Sequence, residues 1–112
     1  MERKYAEFAA TKACELLAID SPSGYTRKAA TWVKEAFEAL GFAAKITTKG
    51  GVLADLGGAD KDDALFLQAH TDTLGAMVAE IKANGRLKLT PLGGLRAENA
   101  ETENVRVHTR TG

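Results

Sequence analysis

LFLQAHTDTLGAMV, residues 65–78, decides how this chain is to be read. Leu65, Phe66 and Leu67 are apolar at consecutive positions, which suits a strand covered on both faces better than one with a wet side. The run therefore predicts the central strand of a mixed or parallel sheet, and with it an α/β fold. It ends in His70, at the carboxyl edge where open α/β sheets gather functional groups. Residues i and i+2 of extended backbone point the same way, so His70 and Asp72 stand side by side. A carboxylate that accepts one ring N–H fixes the imidazole tautomer and raises the basicity of the other nitrogen, as happens around metal-binding histidines. A strand-end histidine hydrogen-bonded to its neighbour gives the same three letters, so the spacing leaves both readings open. Gly75 lets the backbone turn tightly beyond the pair.

Upstream of this stretch the pattern is helical. Tyr5, Phe8, Ala9, Ala13, Leu16 and Leu17 recur at helical spacing with charges between them, and Asp20-Ser-Pro-Ser-Gly24 stops the helix near Ile19. A second helix starts around Ser23 to Thr26, where a hydroxyl can cap its amides. It presents Ala29, Val33, Ala36, Phe37 and Leu40 on one face, with Gly41 as its C-cap. From Phe42 the period becomes two, giving a strand to Thr47. A Lys49-Gly50-Gly51 turn, a partner strand over Val52 to Leu56 and a polar loop over Gly57 to Asp63 follow.

Downstream the chain turns to short strands. Met77 to Lys82 and Arg86 to Leu89 are joined through Asn84-Gly85, a two-residue hairpin signal, and are closed off by Pro91 and Gly93-Gly94. Arg96 to Thr102 reads as loop, and Val105 and Val107 alternate with Arg106 and His108 in a last strand. The change of character near Leu74 to Ala76 divides the chain into 1–74, the opening of an α/β layer, and 75–112, the start of something β-rich. His108 shares a polar face with Arg106 and reads as a surface histidine. Glu98, Glu101 and Glu103 lie in a polar loop and read as solvated.

Composition excludes several classes of partner. The 112 residues fit one ordinary domain. Fifteen basic and fifteen acidic side chains cancel without a Lys/Arg cluster, which argues against nucleic acid and anionic membranes. The single cysteine, Cys14, excludes an internal disulfide, fits a reducing compartment and reads as a small packed residue. The N-terminus mixes charges through its apolar positions and so lacks a signal-peptide core, and no apolar run approaches the length needed to cross a bilayer, so the cytoplasm is the expected location.

Three motifs together resemble a known family: Ser21-Pro-Ser-Gly24, His70-Thr-Asp-Thr-Leu-Gly-Ala-Met-Val78 and Asn84-Gly-Arg-Leu-Lys-Leu-Thr-Pro-Leu-Gly-Gly94. In this order they are similar to the dinuclear metallo-aminopeptidases of the glutamyl, deblocking and tetrahedral aminopeptidase type, also called cellulase M-like. The resemblance covers nearly the whole chain. It implies the beginning of a zinc-exopeptidase-type catalytic domain over 1–74 and the start of an inserted β-rich lid and dimerisation domain over 75–112. It further implies two divalent metal ions, zinc or cobalt, with His70 as a ligand to one of them and Asp72 as the catalytic-site carboxylate behind that histidine. Peptide substrates and a homo-oligomer are implied as well.

The sequence departs from the family pattern in one respect. Catalytic zinc takes three protein ligands and a metal pair needs more, yet only His70 stands at a ligand position. The bridging aspartate, the glutamate pair and the distal histidine of the family have no counterpart among these residues. The chain therefore reads as the N-terminal portion of a longer enzyme and is expected to be inactive by itself. The alternative is a non-catalytic interaction module or decayed remnant that uses an open β edge, such as the strand at Val105 to Thr109, to pair with a partner.

Overall fold

The computed structural model describes residues 2–60 and 62–111, and shows a small α/β protein with two helices and two two-stranded antiparallel sheets. Met1, Gly112 and Lys61, the last within the predicted polar loop, lie outside the described residues. The chain divides into two compact units, Met1–Thr73 and Leu74–Gly112.

In the first unit, helix α1 spans Arg3–Leu17 and helix α2 spans Arg27–Ala39. The strongly amphipathic α2 organises the unit by packing on α1 and on both strands of the hairpin that follows it. Ala29 and Ala30 are its buried residues, and Val33, Ala36 and Phe37 continue the same side half-buried. Of the predicted face only Leu40 is exposed. The helix ends in a Schellman arrangement with Leu40 at the C-cap, one residue before the expected cap, and Gly41 just after it: Gly41 N–H donates to Glu38 O at 2.9 Å and Phe42 N–H to Phe37 O at 3.1 Å. The helix starts where expected, but without the hydroxyl cap: Thr26 occupies the N-cap position with no side-chain bond to the helix.

Helix α1 forms where its period predicts, but Tyr5, Phe8 and Leu17 are exposed. Among the described residues, α2 is the one element packed against it. Lys12 sits 5.5 Å from the Trp32 ring centroid and joins the two helices by a cation–π contact, at a groove lined also by Phe8, Val33, Ala36 and Phe37. Cys14 is exposed, which corrects its reading as a packed residue.

Strands β1, Ala43–Ile46, and β2, Val52–Asp55, pair antiparallel with Ile46 opposite Val52. The predicted third strand is absent. Leu65, Phe66 and Leu67 lie outside any sheet and are 85%, 70% and 75% exposed. A consecutively apolar strand is stable only between partners that take up its backbone groups and cover both its faces. Here β1 and β2 pair only with each other, and no strand among the described residues pairs with 65–67. The sheet is accordingly antiparallel and two-stranded, not mixed.

The second unit holds strands β3, Gly75–Ile81, and β4, Leu87–Leu92, paired antiparallel with a bulge between Val78 and Glu80. The strands are longer than the alternation suggested. β4 runs through Pro91, which faces Ala76 in the register; in a two-stranded sheet a strand can turn its missing N–H to the outer edge. The turn also differs from the predicted two-residue form. Lys82 N–H donates to Arg86 O at 2.8 Å and Gly85 N–H to Lys82 O at 2.9 Å, so three residues, Ala83 to Gly85, make the loop. Gly85 takes φ +80°, as the last position of such loops requires. The β1–β2 connection repeats this plan over Thr48 to Gly50.

Because a Cβ at Gly85 would meet nothing within 4 Å, the cost of Gly85→Ala is purely conformational. We expect about 1 to 2 kcal/mol of lost stability, the cost of a left-handed L-residue, read from the urea midpoint. An unchanged midpoint would exclude the three-residue loop.

Beyond β4, a short 3-10 helix spans Ala97–Asn99 within the predicted loop. The strand expected at Val105 to Thr109 is not formed, and Val105 and Val107 are exposed. As at 65–67, an apolar pattern marks a segment able to pair but supplies no partner strand. Glu98, Glu101 and Glu103 are exposed, as expected.

Candidate functional site

The site is built where the loop between α1 and α2 meets the segment 70–73. Ser21, 1% exposed, donates its hydroxyl to Thr71 O at 2.8 Å, and Thr73 N–H donates to Ser21 O at 2.9 Å. Pro22 and Thr73 form a single parallel bridge between these contacts. Pro22 has no N–H to donate, so the serine hydroxyl beside it supplies the second bond of the clasp. This fixes the backbone on which His70 and Asp72 stand.

The loop itself is a tight turn. Tyr25 N–H donates to Pro22 O at 2.8 Å, and Gly24 takes φ +88° at the third position, as in a type II turn, which a side chain at that position would strain. Ser23 occupies the second position, and its hydroxyl donates to Asp72 Oδ2 at 2.6 Å. The other carboxylate oxygen, Oδ1, lies 3.0 Å from His70 Nδ1, and the Asp72 carbonyl oxygen lies 3.2 Å from the same nitrogen. Both oxygens facing Nδ1 are acceptors, which assigns the proton to Nδ1 and the lone pair to Nε2. The His70 ring is 84% exposed, so Nε2 is open to a ligand.

Hydrogen bonds hold Asp72 below the usual aspartate range, first from the Ser23 hydroxyl and then from His70. Both donors bond the charged form, and so favour it. A carboxylate behind the ring favours the Nδ1–H tautomer of an imidazole.

The pairing of His70 with Asp72 is thus present as the i, i+2 spacing predicts, in a segment that belongs to no sheet. Among the described residues no three His, Cys, Asp or Glu side chains gather as a metal site. His108 is an exposed residue of the second unit. Reasoning from sequence missed Ser21 and Ser23 as parts of the site and offered the hydroxyls of Ser23 to Thr26 only as helix caps. The Ser-Pro-Ser-Gly motif was the visible signal, but the partners of its hydroxyls lie 49 and 50 positions away.

Comparison with known proteins agrees with the motifs. A family model described as M42 glutamyl aminopeptidase matches residues 50–112, and the chain belongs to this family. It is similar to a putative aminopeptidase, YhfE, of Bacillus subtilis (strain 168), with 40% identity over 98 residues, 88% of this chain and 28% of that protein. It is also similar to the glutamyl aminopeptidase of Lactococcus lactis subsp. cremoris (strain MG1363), with 28% identity over 87% of this chain and 28% of that protein. The chain therefore spans under a third of the length of these relatives. No helix among the described residues is long and apolar enough to cross a membrane.

Proposed function

We propose that this chain is the N-terminal portion of a metal-dependent aminopeptidase, a cytoplasmic homo-oligomer that removes N-terminal residues from peptides. Residues 1–74 would belong to its catalytic domain and 75–112 to the start of its lid and dimerisation domain. Family membership supports the peptidase reading, and the observation that carries the site assignment is the ring of His70, held by Asp72 with Nε2 outward.

These residues fit a metal site as one ligand with its orienting carboxylate. His70 would bind one of two divalent ions, zinc or cobalt, through Nε2, and Asp72 would hold the ring in the tautomer that leaves this nitrogen unprotonated. When bound, such ions polarise the scissile carbonyl and acidify water. His70 and Asp72 supply neither the remaining ligands nor a general base, so residues 1–112 alone are inactive under this reading.

The test is hydrolysis by the intact gene product of peptides with free and with blocked N-termini, before and after removal of metal by a chelator. Cleavage of the free peptides that stops on chelation and returns with Zn²⁺ or Co²⁺ is the expected outcome. Cleavage of blocked peptides alone would refute the aminopeptidase assignment, and activity indifferent to chelation would refute the metal. Activity of residues 1–112 by themselves would overturn the assignment of a partial site.

A further inference from the structure

We infer that Ser23 is a positioning residue of this site: its hydroxyl holds the Asp72 carboxylate by Oδ2, so that Oδ1 fixes the His70 ring with Nε2 outward. The inference rests on the proposed reading of His70 as a metal ligand and adds to it a residue that acts through Asp72.

A carboxylate torsion is soft, because the rotation about Cβ–Cγ has broad and shallow minima. One hydrogen bond from His70 to Oδ1 leaves that rotation open, and the ring can then swing with the carboxylate. A second donor on Oδ2 closes it. Ser23 is that donor, at 2.6 Å against the 3.0 Å of the histidine contact, so the serine contact is the shorter of the two restraints on Asp72.

The hydroxyl has a single proton to donate, and the structure spends it here. The competing use, capping α2, is not made: the helix begins at Arg27, with Thr26 and not Ser23 at its N-cap. Ser23 is also carried rigidly. It sits in the turn closed by the Tyr25 to Pro22 bond, and the adjacent Ser21 ties the same loop to Thr71 and Thr73 on either side of Asp72. The serine and the aspartate are therefore placed by two backbone segments that are themselves bonded together. Both serines of the Ser-Pro-Ser-Gly motif thereby acquire a role, Ser21 in holding the backbone and Ser23 in holding the carboxylate.

The test uses the intact gene product with Co²⁺ as probe, its affinity read from visible absorption, for the wild type, Ser23→Ala, Ser23→Thr and His70→Ala. Ser23→Ala is expected to weaken Co²⁺ by about 10- to 100-fold, the effect of losing an outer partner of a metal ligand, and Ser23→Thr to restore it. In the metal-free protein, ¹⁵N spectra of the His70 ring should show the Nδ1–H tautomer in the wild type and in Ser23→Thr, and a mixture in Ser23→Ala. Should the alanine variant not fold, Ser23→Cys replaces it, with a weaker donor of similar size and an affinity expected between those of wild type and His70→Ala.

Unchanged Co²⁺ affinity in Ser23→Ala (or in Ser23→Cys where it stands in), with His70→Ala impaired, would overturn the role of Ser23 and leave the metal reading standing. Equal losses in the alanine and threonine variants would also overturn it, by assigning the effect to the loop instead of the hydroxyl. If His70→Ala left the affinity unchanged, the ligand assignment itself would fall.

Discussion

Replacement of His70 by alanine is expected to weaken Zn²⁺ or Co²⁺ binding by the intact gene product by more than about 100-fold, beyond the loss that removal of an outer partner causes. The value of kcat/KM for peptide hydrolysis should fall at least as far, since the metals that polarise the carbonyl are lost with their ligand. The metal-free protein should barely notice. The ring is 84% exposed, and substitution at such a surface position shifts stability by less than about 0.5 kcal/mol. Denaturant midpoints measured without metal, set beside affinities measured with it, separate the two effects. A variant that keeps its metal would show that Nε2 is not a ligand, and a large loss of metal-free stability would show that the ring packs in a way the structure does not contain.

The parts of this fold that were legible in the sequence are those whose partners lie within a few residues. Both helices follow from apolar period, and both hairpins follow from alternation with glycine at the turn. The pairing of His70 with Asp72 follows from the pleat of extended backbone, because two positions fix a direction. Prediction stopped where a second segment had to be supplied. Leu65 to Leu67 have the composition of a central strand, but strand formation is a property of a pair, and no described strand pairs with them. Val105 and Val107 repeat the lesson.

The serines of the site illustrate the same limit from the other side. Nothing in Ser21-Pro-Ser-Gly24 specifies which carbonyl and which carboxylate its hydroxyls meet, since those acceptors become neighbours only after the loop is clasped to 71–73. Local rules offered helix capping; the bond that Ser23 makes instead reaches a charged acceptor, which is worth more than a neutral one. Pro91 inside β4 and the bulge before Glu80 are smaller cases, set by the register of a partner strand.

The second large effect is expected at Ala30. With Ala29 it makes up the buried apolar residues among those described, at 3% and 0% exposed, where α2 is covered by its neighbours. A methyl group suffices there, and Ala30→Asp would place a carboxylate where no cationic side chain among the described residues is buried to meet it. An uncompensated buried charge costs about 3 to 5 kcal/mol, a large part of the roughly 5 to 15 kcal/mol that holds a domain folded. Thr31, the next residue on the same helix, is exposed, so Thr31→Asp adds the same charge almost as near the helix start and should change stability by less than about 0.5 kcal/mol. Urea unfolding of the two variants measures the difference directly, and equal midpoints would refute the buried face of α2. Metal affinity should follow stability in the Ala30 variant and be unaffected in the Thr31 variant. The loop that carries Ser21 and Ser23 runs straight into α2, and a helix that releases its packed face releases the anchor of the turn that holds Asp72.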